Sequence, residues 1–351
     1  MYKVIVTIDN TDYTIQDNTK VVIEPLLTQT INSADTFEFN VHKKEFELYN
    51  DMAELNTLVS VYDEWNVLQF KGRMINQYNY FNGLIKYTFE GELAYLNDIQ
   101  YPPYEFNGDI PELLKDVLDY YNANCDESKK IEYGTITVTD LNNYITRSNE
   151  DYSSCWKVIN DKLVESLGGY LVLRYEGDTR YLDYLAEPPR TNNQTIEFGK
   201  NLLDLEDYID ATTLATVLIP LGAEDEDGNR ITVASVNDDS IYVESNLIDT
   251  YGRIEQVNTW DDVTLPENLL TKAQEYVNQM ILKEQTITVR TIDLGFTDEE
   301  IARFRKGDKV ICKSEPHNLE IELVITEIQN HINSVQDNEI SIGTQAGFAT
   351  I

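Results

Sequence analysis

The 351-residue chain carries 62 Asp and Glu against 27 Lys and Arg, a formal net charge of −35. That length predicts two or three domains, because one hydrophobic core does not grow to serve so many residues. An apolar content of 42% and an aromatic content of 11%, including 23 tyrosines, excludes a disordered acidic tail, and a surface of this sign repels phosphate backbones and anionic lipid, which argues against gripping DNA or RNA.

No apolar run approaches the roughly 18 residues of a membrane span. The start, Met1 to Asp9, reads as an alternating strand and not as a signal peptide, so synthesis in the cytoplasm without Sec export is expected. Cys125, Cys155 and Cys312 are odd in number and lack CxxC spacing, which supports neither a disulfide framework nor a zinc knuckle; all three read as reduced and structural. The excess acidity is −8 over residues 1 to 100, −8 over 101 to 195, −14 over 196 to 285 and −5 over 286 to 351.

Residues 1 to 100 read as β. Leu58, Val59 and Val61 lead through the polar turn Asp63 to Asn66 into a long strand that ends near Tyr80. Asn82-Gly83 predicts a type I′ hairpin turn, with both central positions at positive φ, before a strand from Leu84 to Glu90. After the breaker Tyr101-Pro102-Pro103 the period changes to 3.6: Ile110, Leu113, Leu114, Val117, Leu118 and Tyr121 share one helical face, with Pro111 in the first turn. A second helix is predicted from about Ser154, with Trp156, Ile159, Leu163 and Leu167 as its stripe and Gly168-Gly169 as its stop. A hairpin, Tyr170 to Tyr175 and Tyr181 to Leu185, completes an α+β insertion closed by Pro188-Pro189.

Beyond residue 195 the pattern returns to β. Leu214 to Leu221 reads as a strand and Glu224 to Asn229 as a turn into a strand over Arg230 to Val236. A third helix is predicted from Pro266 with Leu269, Leu270, Ala273, Tyr276, Val277 and Met280 on its buried face. Strands are predicted at Thr286 to Leu294, Lys309 to Lys313, Leu319 to Ile332 and Glu339 to Ile342, and the capping-box form of Thr297 to Glu300 predicts helical turns carrying Ile301 and Phe304. The layout of Leu58 to Glu90 recurs, without its sequence, in Val310 to Ile342, which raises the possibility of two related β domains.

The chemistry is nearly silent. Among 62 acids, sequence proximity singles out no carboxylate pair of the glycosidase kind. The three histidines, His42, His317 and His331, lie near no GxSxG elbow or HExxH pair and read as surface or turn residues. Glu224 to Gly228 fits a calcium loop at Asp225, Asp227 and Gly228, but Ala223 and Ala234 stand where the first and twelfth ligands belong, so a tight turn is the better reading. No GxGxxG, GxxxxGK[ST] or paired CxxC occurs. No catalytic residue, cofactor or metal is expected.

As a string the chain resembles the baseplate hub family of tailed bacteriophages, also known as the prophage endopeptidase tail or tail-associated lysin family. The resemblance rests on Phe70-Lys71-Gly72 and Glu92 to Leu96 near the N-terminus, then on Leu221-Gly222, Asp227 to Thr232, Tyr242-Val243-Glu244, Tyr251 to Glu255 and Pro266 to Leu270. Ile292-Asp293-Leu294, Lys306 to Val310 and Ile340 to Gly343 complete it. Each motif is weak alone, and their order carries the signal. The residues so marked, as structural and not catalytic, are Phe70, Gly72, Tyr95, Leu96, Gly222, Gly228, Tyr242, Tyr251, Gly252, Asp293, Gly307 and Asp308.

The resemblance implies a β-rich α+β fold: two related small β-barrel-like domains with α+β insertions, assembled as a tube-like homotrimer. The expected borders are 1–100 for the first β domain, 101–195 for an α+β insertion, 196–221 plus 286–351 for the second β domain and 222–285 for an acidic α+β insertion. It further implies a virion tail baseplate, where a ring joins the tail tube or distal tail protein to a tip, spike or lytic protein, and DNA passes through without specific binding. A channel for DNA would suit acidic walls. Rival readings are a peptidoglycan hydrolase acting through carboxylates and a carbohydrate-binding receptor module favoured by the tyrosine count.

Overall fold

A computed structural model describes residues 2–140, 144–209, 214–224, 228–261, 263–280, 285–296 and 300–343. The fold is α+β and β-rich. The N-terminal strands are β1 (Lys3–Ile8), β2 (Thr11–Gln16), β3 (Ile23–Thr30), β4 (Thr36–His42), β5 (Leu58–Tyr62), β6 (Leu68–Asn79) and β7 (Leu84–Gly91). Alternation drives them together: Val4 and Val6, Phe37 and Phe39, Val59 and Val61, and Ile85, Tyr87 and Phe89 all bury the same face. Phe39 and Phe89 stack with ring centroids 5.8 Å apart at the centre. The β6–β7 connection corrects the expected type I′ turn. Tyr80 and Leu84 close a three-residue loop in which Gly83 N–H donates to the Tyr80 carbonyl at 3.1 Å, and only Gly83 takes positive φ, at 84°. This is the turn followed by a left-handed glycine of longer hairpins.

The next segment holds β8 (Gln100–Tyr101), β9 (Tyr104–Gly108), α1 (Ile110–Asn124), β10 (Glu132–Ile136), β11 (Ile145–Asn149) and β12 (Ser153–Ser154). It continues through α2 (Cys155–Ile159), a π turn over Asn160–Val164, α3 (Glu165–Leu167), β13 (Tyr170–Glu176) and β14 (Thr179–Leu185). All six residues of the predicted α1 stripe are buried, and a capping box between Asp109 and Glu112 starts the helix. The second helix stops at Gly168 and Gly169, both at positive φ. Its π turn moves the buried face to Cys155, Val158, Ile159, Leu163 and Val164, leaving Trp156 and Leu167 only half-buried.

After β15 (Arg190–Thr191), β16 (Ile196–Glu197) and β17 (Leu202–Ile209), a small separate sheet forms from β18 (Val217–Leu221), β19 (Val243–Glu244) and β20 (Glu255–Thr259), with α4 (Ile248–Tyr251) between the last two. α5 (Pro266–Met280) covers it with Leu269, Ala273 and Val277. Thus the strand expected to end the first part of the second β domain pairs with this sheet instead. The strand expected over Arg230 to Val236 is absent; Arg230 makes an isolated bridge with Glu224, and Ala234–Val236 form a 3-10 turn. The chain closes with β21 (Gln285–Thr291), β22 (Asp308–Ser314), β23 (Leu319–His331) and β24 (Glu339–Gly343). Residues 297–299 of the expected capping box lie outside the described residues, and Ile301 and Phe304 sit in irregular chain and not in helical turns.

The large sheet joins 14 strands. Its path runs β17-β21-β24-β23-β3-β4-β7-β6-β5-β1-β2, with β22 on β23 and β15 and β16 in parallel on β22. Among the described residues the path does not close and no closed barrel is found, so the strands of the two expected barrel-like domains share one sheet. The cause is the length of β23: its first half pairs with β22 and its second half, Glu327 to His331, pairs with β3. Two cores lie against this one sheet. The first gathers the β1–β7 side chains, and the second gathers Ile196, Ile287, Val289, Val310, Ile325, Ile340 and Ile342.

Candidate functional site: the seam between the halves of the sheet

The seam is a backbone ladder reinforced by side chains from the loop between β21 and β22. Ile31 N–H donates to the Thr326 carbonyl at 2.9 Å, and Ile332 N–H donates to the Pro25 carbonyl at 3.1 Å, so both ends of the β3–β23 ladder are tied. The Asp293 carboxylate organises the loop, accepting from Gly295 N–H at 2.9 Å, Phe304 N–H at 3.0 Å and the Gln194 amide at 2.8 Å. Burial pushes its carboxyl above the ordinary range against those hydrogen bonds. Asp308, also buried, is held by Arg190 and by the Asn192 amide at 2.8 Å, just after Gly307 turns the chain at φ 81°.

From this loop two cations reach the first half. Arg303 lies between the rings of Trp65 and Phe296, with its guanidinium carbon 3.8 Å from each centroid, and its nitrogens face Asp63 and Glu64. Asp63 is fixed in turn by accepting from the N–H groups of Trp65 and Val67 at 3.0 and 2.8 Å. Lys306 donates to the Thr30 carbonyl at 3.2 Å and pairs with Asp35. Beside these contacts a cavity of about 270 Å³ opens, lined by Phe70, Lys71, Glu92, Tyr175, Lys306 and Gly307 among others.

The other marked residues fall into two further places. Gly72 faces β7 so closely that a Cβ would stand 2.1 Å from the Glu90 carbonyl oxygen. Its neighbour Arg73 makes a bidentate pair with Asp98 at 2.6 and 2.7 Å and packs over Tyr95, whose buried ring also sits near Arg180. Arg180 forks onto the buried Glu92 carboxylate, binding strand β14 to the 3-10 turn that holds Tyr95 and Leu96. In the small sheet, Gly222 faces the Val263 carbonyl, Tyr242 stacks under Arg253 at 4.5 Å, and Gly252 ends α4 at φ 79° while its carbonyl accepts from the Thr216 hydroxyl at 2.6 Å. Tyr251 is exposed, and Gly228 turns at φ 79° in open space.

Of the twelve, Phe70 and Gly307 line the cavity together and the rest do not; they sit at the seam, at the β6–β7 turn-off into the insertion, and in the small sheet. Sequence reasoning missed the seam contacts of Arg303, Trp65, Lys306 and Asp35, whose partners are about 240 to 271 positions away. The one usable signal was a tryptophan inside an acidic turn. Among the described residues no cluster of His, Cys, Asp and Glu has metal-binding geometry, and no helix is long and apolar enough to cross a membrane. His317 Nδ1 lies 2.6 Å from Ser314 Oγ at one 3-10 turn, a local side-chain contact. Burial raises the thiols of Cys155 and Cys312 to about 12 and about 11, and all three cysteines are unpaired with one another.

The fold that carries this seam is matched by known structures. Residues 190–346 match the prophage endopeptidase tail family. The resemblance drawn from the motif order thus holds across the region that carries most of those motifs. Among solved structures, the chain is similar to a tail protein from Neisseria meningitidis MC58 at 13% identity and a TM-score of 0.68, covering 98% of this chain and 96% of that one. It is similar to the 43 kDa tail protein of prophage MuSo2 from Shewanella oneidensis at 13% identity and 0.67, covering 97% and 98%. The prophage tail protein gp18 from Listeria monocytogenes EGD-e follows at 14% and 0.61, covering 97% and 94%. A comparison with curated protein sequences found no match. The fold is that of phage tail proteins; the word endopeptidase in the family description brings no enzymatic evidence with it.

Proposed function

We propose that the chain is the structural hub of a phage or prophage tail baseplate: a homotrimeric ring that joins the tail tube or distal tail protein to the tip, spike or lytic protein and lets DNA pass. The observation that carries this reading is the repetition of strand order. The first half reads β3-β4-β7-β6-β5-β1 and the second β17-β21-β24-β23-β22 followed by β15 and β16. A protein with two similar units in each copy can present six similar units as a trimer, which matches a threefold assembly to a sixfold tube.

In this reading the units are 1–100, the insertion 101–195, the second β unit built from the segment after 196 with 286–351, and the acidic insertion 222–285, to which β18 is joined by its pairing. The marked glycines and aspartates act as turn and packing residues. The net charge of −35 suits a passage in which phosphate must slide without sticking. Synthesis is in the host cytoplasm and the final location is the virion tail. Cryo-electron microscopy of the chain mixed with the tube and distal tail proteins of its own particle tests the reading. Three copies in a ring at the end of the tube are expected; a chain that binds neither protein in any arrangement overturns it.

A further inference from the structure

The cavity beside the seam is walled by three parts of the chain that are far apart in sequence. Phe70 comes from β6, Leu93 from the 3-10 turn after β7, Tyr170 and Leu171 from β13, and Gly307 from the loop before β22. Phe70, Leu93, Tyr170 and Leu171 are all buried, so much of the wall is apolar. The volume of about 270 Å³ holds about nine waters, or a ligand of about ten non-hydrogen atoms. A concave, mostly apolar space with a few polar groups at fixed places is the general form of a small-molecule site.

The charged groups around this space are unevenly matched. Glu92 is buried, and its two oxygens accept the Arg180 fork while the Tyr175 hydroxyl donates at 3.0 Å. Asp35 is held by Lys306 and accepts from Thr30 N–H at 3.3 Å. Both carboxylates are therefore answered without Lys71 or Arg305, which also line the cavity. Lys71 Nζ stands 3.7 Å from Glu92, beyond hydrogen-bond reach. Arg305 is exposed; its backbone N–H donates to Asp308, but among the described residues its guanidinium makes no hydrogen bond or ion pair. Every other arginine of the chain holds a carboxylate or a carbonyl. In a chain of 62 acids and 27 bases, an arginine without an acid is the exception, and this one shares a cavity with a second under-used cation.

We propose that this cavity binds a small amphiphilic carboxylate, with its carboxyl group toward Lys71 and Arg305 and its apolar body against Phe70, Leu93 and Tyr170. Binding of this kind is independent of the hub reading above. A guanidinium presents a planar fork that matches the two oxygens of a carboxylate, and an ammonium adds a point charge. A phosphate would bring a second negative charge close to Glu92 and Asp35, and no α-helix begins at the cavity wall to hold it. A neutral ligand would leave both cations unanswered. Lys71 belongs to the first half of the chain, Arg305 to the second and Tyr170 to the insertion, so an occupant pins three parts together and stabilises the folded chain by mass action.

Octanoate, of the size this volume holds, is the probe. Titration calorimetry of the full chain, below the concentration at which octanoate forms micelles, should show one saturable site per chain with a negative heat-capacity change. The melting temperature should rise with octanoate concentration. Arg305→Gln and Lys71→Gln should each weaken binding by about tenfold or more, the loss expected for a hydrogen bond to a charged group. Arg305→Gln alters an exposed side chain, so without octanoate it should melt as wild type does. Octanol and inorganic phosphate should each bind more weakly than octanoate by about tenfold or more, the first for want of charge and the second for want of an apolar body. No saturable octanoate site on wild type, octanoate binding that survives both substitutions, or octanol or phosphate bound as tightly as octanoate would each overturn the proposal. None of these outcomes bears on the trimer, so failure here leaves the hub reading standing.

Discussion

At Gly72 the sequence allows one residue type for a mechanical reason: a Cβ would stand 2.1 Å from the Glu90 carbonyl oxygen. Gly72→Ala must push β6 from β7 and is expected to lose about 1–3 kcal/mol in urea unfolding, in the range of overpacked cores; an unchanged midpoint would refute the close approach. The neighbouring pair of Arg73 and Asp98 sets a pH dependence. Burial alone would raise the Asp98 carboxyl, but the bidentate Arg73 bond and Lys129 outweigh it and hold it below the ordinary carboxylate range. Because the folded value lies below the unfolded one, the stabilisation is present above the unfolded value of about 3.9 and is lost as pH falls through the folded one. Asp98→Asn should flatten that part of the acid limb in a series of thermal melts from neutral pH downward, and a limb identical to wild type would assign the acid sensitivity elsewhere.

Elements with strong periodicity were the legible ones. α1 could be read whole, because six apolar residues on one face had only one place to go, and its capping box added a defined start. Asp109→Ala should accordingly cost about 1 kcal/mol, seen as a lower melting temperature with the same unfolding slope. The hairpin at Gly83 was legible in position and not in type, since Asn-Gly signals a turn while the loop length is set by where Tyr80 and Leu84 pair. The strand expected over Arg230 to Val236 failed because Arg230 is drawn to Glu224 and Asp261 while Val233 turns into the α5 core. The border near residue 221 failed for a similar reason: an apolar strand does not announce which sheet it joins. Of the candidate site, the backbone-shaping residues Gly307, Asp308 and Asp293 were visible as motifs. Arg303 was not, and Lys306 stood in its motif with no sign of its contact to Asp35, because both partners lie in the other half of the chain and nothing local marks a cation for a distant ring or carboxylate.

At the scale of the whole molecule, the layout shared by Leu58 to Glu90 and Val310 to Ile342 becomes a matched strand order with matched register slips. What sequence could not give was the joint, because β23 is shared between two partners and its length alone does not say so. The net charge of −35 sets a condition on assembly: copies repel through a field that salt screens, with a Debye length falling from about 30 Å at 0.01 M to about 8 Å at 0.15 M. Association should therefore strengthen as salt rises over that range, as light scattering at fixed protein concentration would show, and weakening would mean that attraction between charges drives it. With two like units per chain, three copies are expected to close a ring. Native mass spectrometry over a rising concentration series checks this: a species of three chains should grow at the expense of one, with two chains only in passing, and a single-chain mass at every concentration would overturn the hub reading.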